Sequence, residues 1–280
     1  MTTADGELTV PVPGGHLWAE VAGSGSGVVL AHAGIADARM WDPQWDALSA
    51  RHRVARYDLR GFRRSEVEHV RFSNREDLIA VMDAAGLDRA VLVGCSRAAT
   101  ISLDTALEFP DRVRGLVWVC GGVSGADFGD AGDEIAELDR REEALAEAKD
   151  WEGVTEIDLR IWVDGPREPA GSGPAAVREL VRTMCLDTLR QDKVYGDQVD
   201  LVPPAVERLG DLRVPVLAIV GERDPLVTAR AADVLVAGVT GARRIDLPGV
   251  AHLPNLERPE WFTETLLAFL AENDAAARDA

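Results

Sequence analysis

The stretch that decides the fold is Ala90-Val91-Leu92-Val93-Gly94-Cys95-Ser96-Arg97-Ala98-Ala99. Its first six residues are apolar or small and do not alternate with polar ones, as in a strand buried on both faces. From Ala98 the pattern reads as helix as far as Phe109, and Pro110 stops it. A serine is therefore left at a sharp strand-to-helix turn. Gly94, Ala98 and Ala99 suit a place where backbone runs close to backbone. A helix N-terminus favours negative charge beside the Ser96 hydroxyl. The amide of Arg97, the next residue, points where an oxyanion would form. The plain alternative is a serine that merely ends a strand.

Working outward, Glu7 to Val12 and Leu17 to Val21 read as a hairpin about Pro13-Gly14-Gly15. Val28 to Ala33 is a buried strand, Pro43 to Ala50 a helix and Val54 to Tyr57 a strand. Ser73-Asn74-Arg75-Glu76 is a capping box that opens a helix ending near Gly86. Further strands fall at Gly115 to Cys120, Val214 to Val220 and Arg243 to Leu247, with a helix from about Ala229. Pro259 opens the last helix, whose inner face is Trp261, Phe262, Leu266, Phe269 and Leu270. Strands alternating with helices predict an α/β fold, a mostly parallel sheet covered on both faces. The alternation breaks between about Val123 and Leu212, where the chain is charged, helical in pattern and rich in loop signals around Gly165-Pro166 and residues 169–174. That stretch reads as an inserted helical cap. The division is core over 1–122, cap over 123–212 and core again over 213–280, with residues 275–280 expected to fray.

The chain has 280 residues and a formal net charge of −18. Such a surface repels phosphate backbones and anionic membranes, so neither nucleic acid nor a membrane is expected as a partner. No apolar run reaches transmembrane length, and Met1 to Asp5 lacks signal-peptide features, which makes the cytoplasm the expected compartment. Three cysteines, Cys95, Cys120 and Cys185, match neither a disulfide framework nor a metal motif. A small-molecule substrate is expected, and a homodimer is compatible with the sequence.

A serine hydroxyl needs a base beside it. Of five histidines, His252 lies in Leu247-Pro248-Gly249-Val250-Ala251-His252-Leu253-Pro254, after the last strand and at the same sheet end as Ser96. A carboxylate must orient that ring. Asp224, in Gly221-Glu222-Arg223-Asp224-Pro225, lies on the same rim, and Glu222 is its rival. The order Ser96, Asp224, His252 is the chain order of one known triad arrangement. A second oxyanion donor is expected from His32-Ala33-Gly34-Ile35, through the amide of Gly34, with His32 orienting the loop by hydrogen bonds.

From about Leu8 to Leu270 the chain resembles the α/β-hydrolase superfamily. The resemblance is carried by His32-Ala33-Gly34, Tyr57-Asp58-Leu59-Arg60-Gly61-Phe62, Gly94-Cys95-Ser96-Arg97-Ala98, Gly221-Glu222-Arg223-Asp224 and Gly249-Val250-Ala251-His252. It looks most like the capped bacterial esterases and enol-lactonases. That implies an eight-stranded sheet, a helical cap, and ester or lactone hydrolysis through an acyl-enzyme without metal or cofactor. Three departures stand out. Ala33 and Ala98-Ala99 replace expected glycines, and Arg63 stands where the pattern has a second glycine in its Arg-Gly-x-Gly loop. Related dehalogenases hold a substrate carboxylate with an arginine placed like Arg97. The alternative for Arg97 is a local ion pair or solvent. Ile35, Trp151, Ile161, Trp162, Met184 and Leu253 are the other candidates for lining the substrate pocket, against a plain packing role. The rival reactions are carbon–carbon bond hydrolysis and a non-hydrolytic rearrangement. Outside enzymes, the rival is a ligand-binding protein on the same fold.

Overall fold

A computed structural model describes residues 4–191 and 196–279. The chain opens with the antiparallel hairpin β1 (Gly6–Val12) and β2 (Gly15–Ala22). There follow β3 (Gly27–Ala31), α1 (Asp42–Ser49), β4 (Arg53–Tyr57), the short β5 (Glu66–Val67) and β6 (Arg71–Phe72), α2 (Asn74–Ala84), β7 (Ala90–Cys95), α3 (Arg97–Glu108) and β8 (Val113–Val119). Three helices come next, α4 (Asp133–Glu147), α5 (Trp151–Leu159) and α6 (Ala175–Leu189), then the two-residue β9 (Asp197–Gln198). The chain ends with β10 (Val216–Gly221), α7 (Leu226–Gly238), β11 (Arg243–Leu247), α8 (Pro254–Glu257) and α9 (Pro259–Asp279).

The main path of the sheet has eight strands in the order β1-β2-β4-β3-β7-β8-β10-β11, and β5 adds a short ninth beside β2. Pairings from β4 to β11 are parallel, while β2 is antiparallel to both its neighbours. The expected mostly parallel α/β sheet is present. Its faces separate along single strands. In β7, Val91, Val93 and Cys95 join the core that holds Trp41 and Phe262, while Ala90 and Leu92 join the core that holds Trp118. A strand with apolar residues on both faces is what two helix layers require.

Local signals in the sequence have visible counterparts. Ser73 caps α2 by accepting from the Glu76 amide at 3.3 Å. Arg63 holds φ +34°, which is why a glycine suits that position. Two expectations need correction. The pair β6–β9 ties residues 71–72 to 197–198, a sheet that the strand-poor reading of 123–212 did not foresee. The expected frayed tail is helical through Asp279, and Ala280 lies outside the described residues. Asn273 near the end of α9 anchors it by donating to the Arg114 carbonyl at 2.7 Å.

Candidate active site

β7 delivers Ser96 to the C-terminal rim of the sheet. Ser96 has φ +56° and ψ −119°, a backbone that L side chains rarely adopt. Such strain tends to be stored at functional sites. The turn is held by the Ser96 amide, which donates to the Val119 carbonyl at 2.8 Å. The turn is also tight. A methyl on Gly94 would meet the Ala98 carbonyl oxygen at 2.3 Å and Ser102 Oγ at 2.7 Å. Ala98 and Ala99 are fully buried, so methyls fit where glycines were expected.

β10 and β11 deliver the other two groups. Asp224 follows β10, and His252 lies in the loop between β11 and α8. His252 Nδ1 and Asp224 Oδ1 are 2.7 Å apart, and both residues are buried. Asp224 Oδ2 is buried with no hydrogen-bond partner among the described residues. Gly221 is where β10 meets the histidine loop, and a methyl there would lie 1.9 Å from the Ala251 carbonyl oxygen. Glu222, the rival acid, spends its carboxylate on the Gly249 amide at 2.8 Å. Glu257, which the sequence reading missed, clamps the same loop. It accepts from Ala251 and Leu253, the residues either side of His252, and burial lifts its carboxyl above the usual value.

Ser96 and His252 line one cavity of about 220 Å³, together with Arg97, Cys120, Phe128, Trp162 and Thr228 among others. The hydroxyl and the ring face this common space, but among the described residues no hydrogen bond joins them. Catalytic hydrogen bonds commonly tighten only when substrate is bound. Trp162 comes from a π turn, Arg160–Asp164, that continues α5. Its ring centroid is 4.4 Å from that of His252, and its carbonyl accepts from the His252 amide at 3.1 Å. Such π turns are frequent at functional sites.

The loop after β3 lies against Arg97, which lines this space. The ring of His32 is fully buried, and its pKa is lowered by burial, against the pull of Asp58. Its Nε2 accepts from the Leu59 amide at 2.9 Å, which leaves Nδ1 to donate to the Ala33 carbonyl at 2.8 Å. This is the loop-holding role expected for His32. Gly34 is exposed, and a methyl on it would sit 3.9 Å from Arg97 Cβ, so the two expected amide donors are neighbours.

The remaining pocket candidates divide. Ile35 and Met184 line a second, smaller cavity with Gly34. Ile161 packs in a small core with Leu138 of α4 and Ile157 of α5, and Leu253 is fully buried in the core that holds Trp41 and Phe262. Trp151 begins α5, half-buried, and lines neither cavity. Asp158 and Thr188 line the second cavity unforeseen. The signal was present for Asp158, which stands four residues before Trp162 and so shares its helix face. Cys95, Cys120 and Cys185 are all buried free thiols, and burial raises each pKa well above the usual value, so they stay protonated. No described helix is long and apolar enough to cross a membrane.

Comparison with known proteins agrees with this architecture. A family model described as the alpha/beta hydrolase fold matches residues 28–259. RutD of Azorhizobium caulinodans, provisionally named a carbamate hydrolase, is 29% identical over 264 residues, covering 92% of this chain and 96% of its own. A pimeloyl-[acyl-carrier protein] methyl ester esterase of Pectobacterium carotovorum is 26% identical over 255 residues, covering 90% and 97%. The solved enol-lactonase of Burkholderia xenovorans superposes with a TM-score of 0.71 at 21% identity over 94% of this chain and 100% of its own.

Proposed function

The chain belongs to the α/β-hydrolase family and is a hydrolase of that fold, and from that premise we propose that it cleaves a small carboxylic ester or lactone through Ser96, His252 and Asp224. The observation that carries the reading is the 2.7 Å contact between Asp224 and His252, at a cavity that the strained Ser96 also lines. Relatives named as a methyl ester esterase and an enol-lactonase favour esters and lactones as substrates.

In the proposed cycle, Ser96 Oγ attacks the acyl carbon while His252 Nε2 takes its proton. Asp224 holds the ring with Nδ1 protonated and stabilises the imidazolium. The amides of Arg97 and Gly34 bind the oxyanion, each donor of this kind typically lowering the barrier by about 3 kcal/mol. His252 passes the proton to the leaving oxygen, which departs and leaves an acyl-serine. Water then attacks the acyl carbon, giving its proton to His252, and the acid leaves as Ser96 is restored. In this reading the inserted helices act as a cap, with Trp162 shielding His252 from water.

The test is labelling with a fluorophosphonate, followed by mass spectrometry, alongside hydrolysis of a panel of methyl esters and lactones. One adduct on Ser96 is expected, and Ser96→Ala should lose both the label and roughly six orders of magnitude in turnover. An unlabelled, inactive wild-type protein would favour the ligand-binding alternative. Labelling without ester or lactone cleavage would favour carbon–carbon hydrolysis or rearrangement.

A further inference from the structure

The second cavity lies between the loop 34–36 and the helices α5 and α6, and its volume is about 50 Å³. It lies beside the catalytic cavity without sharing a lining residue with it. Gly34 borders it and abuts Arg97, which lines the catalytic side. Asp158 borders it and accepts a hydrogen bond from Trp162, whose ring stands over His252. Two of its lining residues therefore adjoin lining residues of the catalytic cavity.

Two polar groups in this chamber have hydrogen-bonding capacity left over. Thr188 is 8% exposed, and its Oγ1 is buried with no partner among the described residues. Asp158 is half-buried, the Trp162 indole donates to it, and a further neighbour, Glu142, is an acid. No cationic side chain lies within ion-pair distance of it among the described residues. A carboxylate offers about four acceptor sites, so one indole donor leaves most of them empty. Burial, with Glu142 on α4 adding to it, lifts the Asp158 carboxyl to about 7. Glu142 is itself raised by burial and by Asp139 and Glu143. The one thiol of the chamber is already engaged, as Cys185 Sγ donates to the Ile35 carbonyl at 3.0 Å. The rest of the lining is apolar, with Ile35, Met184 and Leu189.

A buried hydroxyl without a partner calls for an explanation, and a ligand is one. An acceptor-rich chamber inside a protein of charge −18 favours donors and cations. A water molecule needs about 10–15 Å³ of such space, so this volume suits a terminal group of a few heavy atoms. We propose that the chamber is a substrate subsite for a terminal hydrogen-bond-donating group, an ammonium or a hydroxyl, received by Asp158 and Thr188. This rests on the ester or lactone hydrolase reading for its place in catalysis, but not for its binding chemistry.

Two measurements test it. The first compares methyl esters of short straight-chain acids that end in methyl, hydroxyl or ammonium. The wild-type protein should prefer the hydroxyl- and ammonium-ended esters in kcat/KM, chiefly through KM. Asp158→Asn, which keeps an oxygen for the Trp162 indole, should lower the ammonium-to-methyl ratio roughly tenfold. Thr188→Val should lower the hydroxyl-to-methyl ratio by a similar factor. No end-group preference in the wild type, or a preference that both variants retain, would overturn the proposal. The second measurement is calorimetric titration of Ser96→Ala with n-butylammonium, which needs no turnover. Binding that is lost on adding Asp158→Asn supports the subsite even if no ester is cleaved. Absence of binding together with absence of preference means the chamber holds only water.

Discussion

Buried carboxylates meet different partners around the sheet and on the helices between β8 and β10. Below the sheet rim, Asp77 receives two hydrogen bonds from Arg60, at 2.8 and 2.9 Å. Asp37 is held by Arg39, whose hydrogen bonds outweigh burial and keep that carboxyl below its usual value. Asp58 takes Arg64 on Oδ2 and the Ala38 amide on Oδ1. Asp158 on α5 has an indole and an acidic neighbour instead. Acids of the first kind tie residues 37–39 and the loop Tyr57–Ser65 into place. An acid of the second kind costs stability where it stands, and its unused acceptors are available to something else.

Asp224 stands between these two kinds, and changing it should have the largest effect. One of its oxygens meets His252 and the other is buried without a partner. Asp224→Asn should leave the fold intact and lower kcat by about 10⁴, because an amide favours the wrong ring tautomer. Turnover and thermal melting measured together make the comparison. A loss below tenfold with a large drop in melting temperature would place Asp224 with the loop-tying acids.

Asp77→Asn should be silent in chemistry and costly in folding. Arg60 and Asp77 are 1% and 4% exposed at their side chains, and the change strands a guanidinium beside Phe72 and the Pro13 carbonyl. Removing one member of a buried pair typically costs about 3–5 kcal/mol. Urea unfolding reads it directly. A cost under about 1 kcal/mol would mean that Arg60 finds water, and that the contrast with Asp158 is weaker than the burial of the pair implies.

How legible each region was follows from the same difference. β7, its serine turn and the Gly221-to-Asp224 segment could be read from sequence because their requirements are local. An apolar run, small residues at a close approach and an acid just past a strand are all contiguous in the chain. Glu257 was missed although it is local too, since a carboxylate binding backbone amides leaves no pattern beyond its own identity. The chamber at Asp158 could not be read. Its walls come from residues 34–36, Phe62, α5 and α6, and only folding brings them together. Ile35 and Met184 were singled out as pocket residues for being apolar, and the structure puts them in that chamber. The same reasoning put Ile161 in the pocket, whereas it packs with Leu138 and Ile157. Apolarity marks burial but does not say against what.

The smallest of these effects has a size that depends on pH. The Asp158 carboxyl normally titrates at 3.8, and in the fold burial, with Glu142 beside it, moves this to about 7. Between these values the folded protein keeps a proton that the unfolded chain has released. Stability therefore falls as pH rises from about 4, and the deficit is complete above about 7. Asn cannot ionise, so Asp158→Asn should stabilise the protein at about pH 8, by an amount on the order of 2–4 kcal/mol, and should do almost nothing near pH 4. Urea unfolding of both proteins at the two pH values measures it. Destabilisation at the higher pH would move Asp158 into the class of Asp37, whose charged form the fold favours. n-Butylammonium should also raise the wild-type midpoint at the higher pH, where the carboxylate is charged, and should leave Asp158→Asn unmoved. A cation that stabilised both proteins equally would be binding elsewhere on the acidic surface, and the unused acceptors of Asp158 would have no ligand.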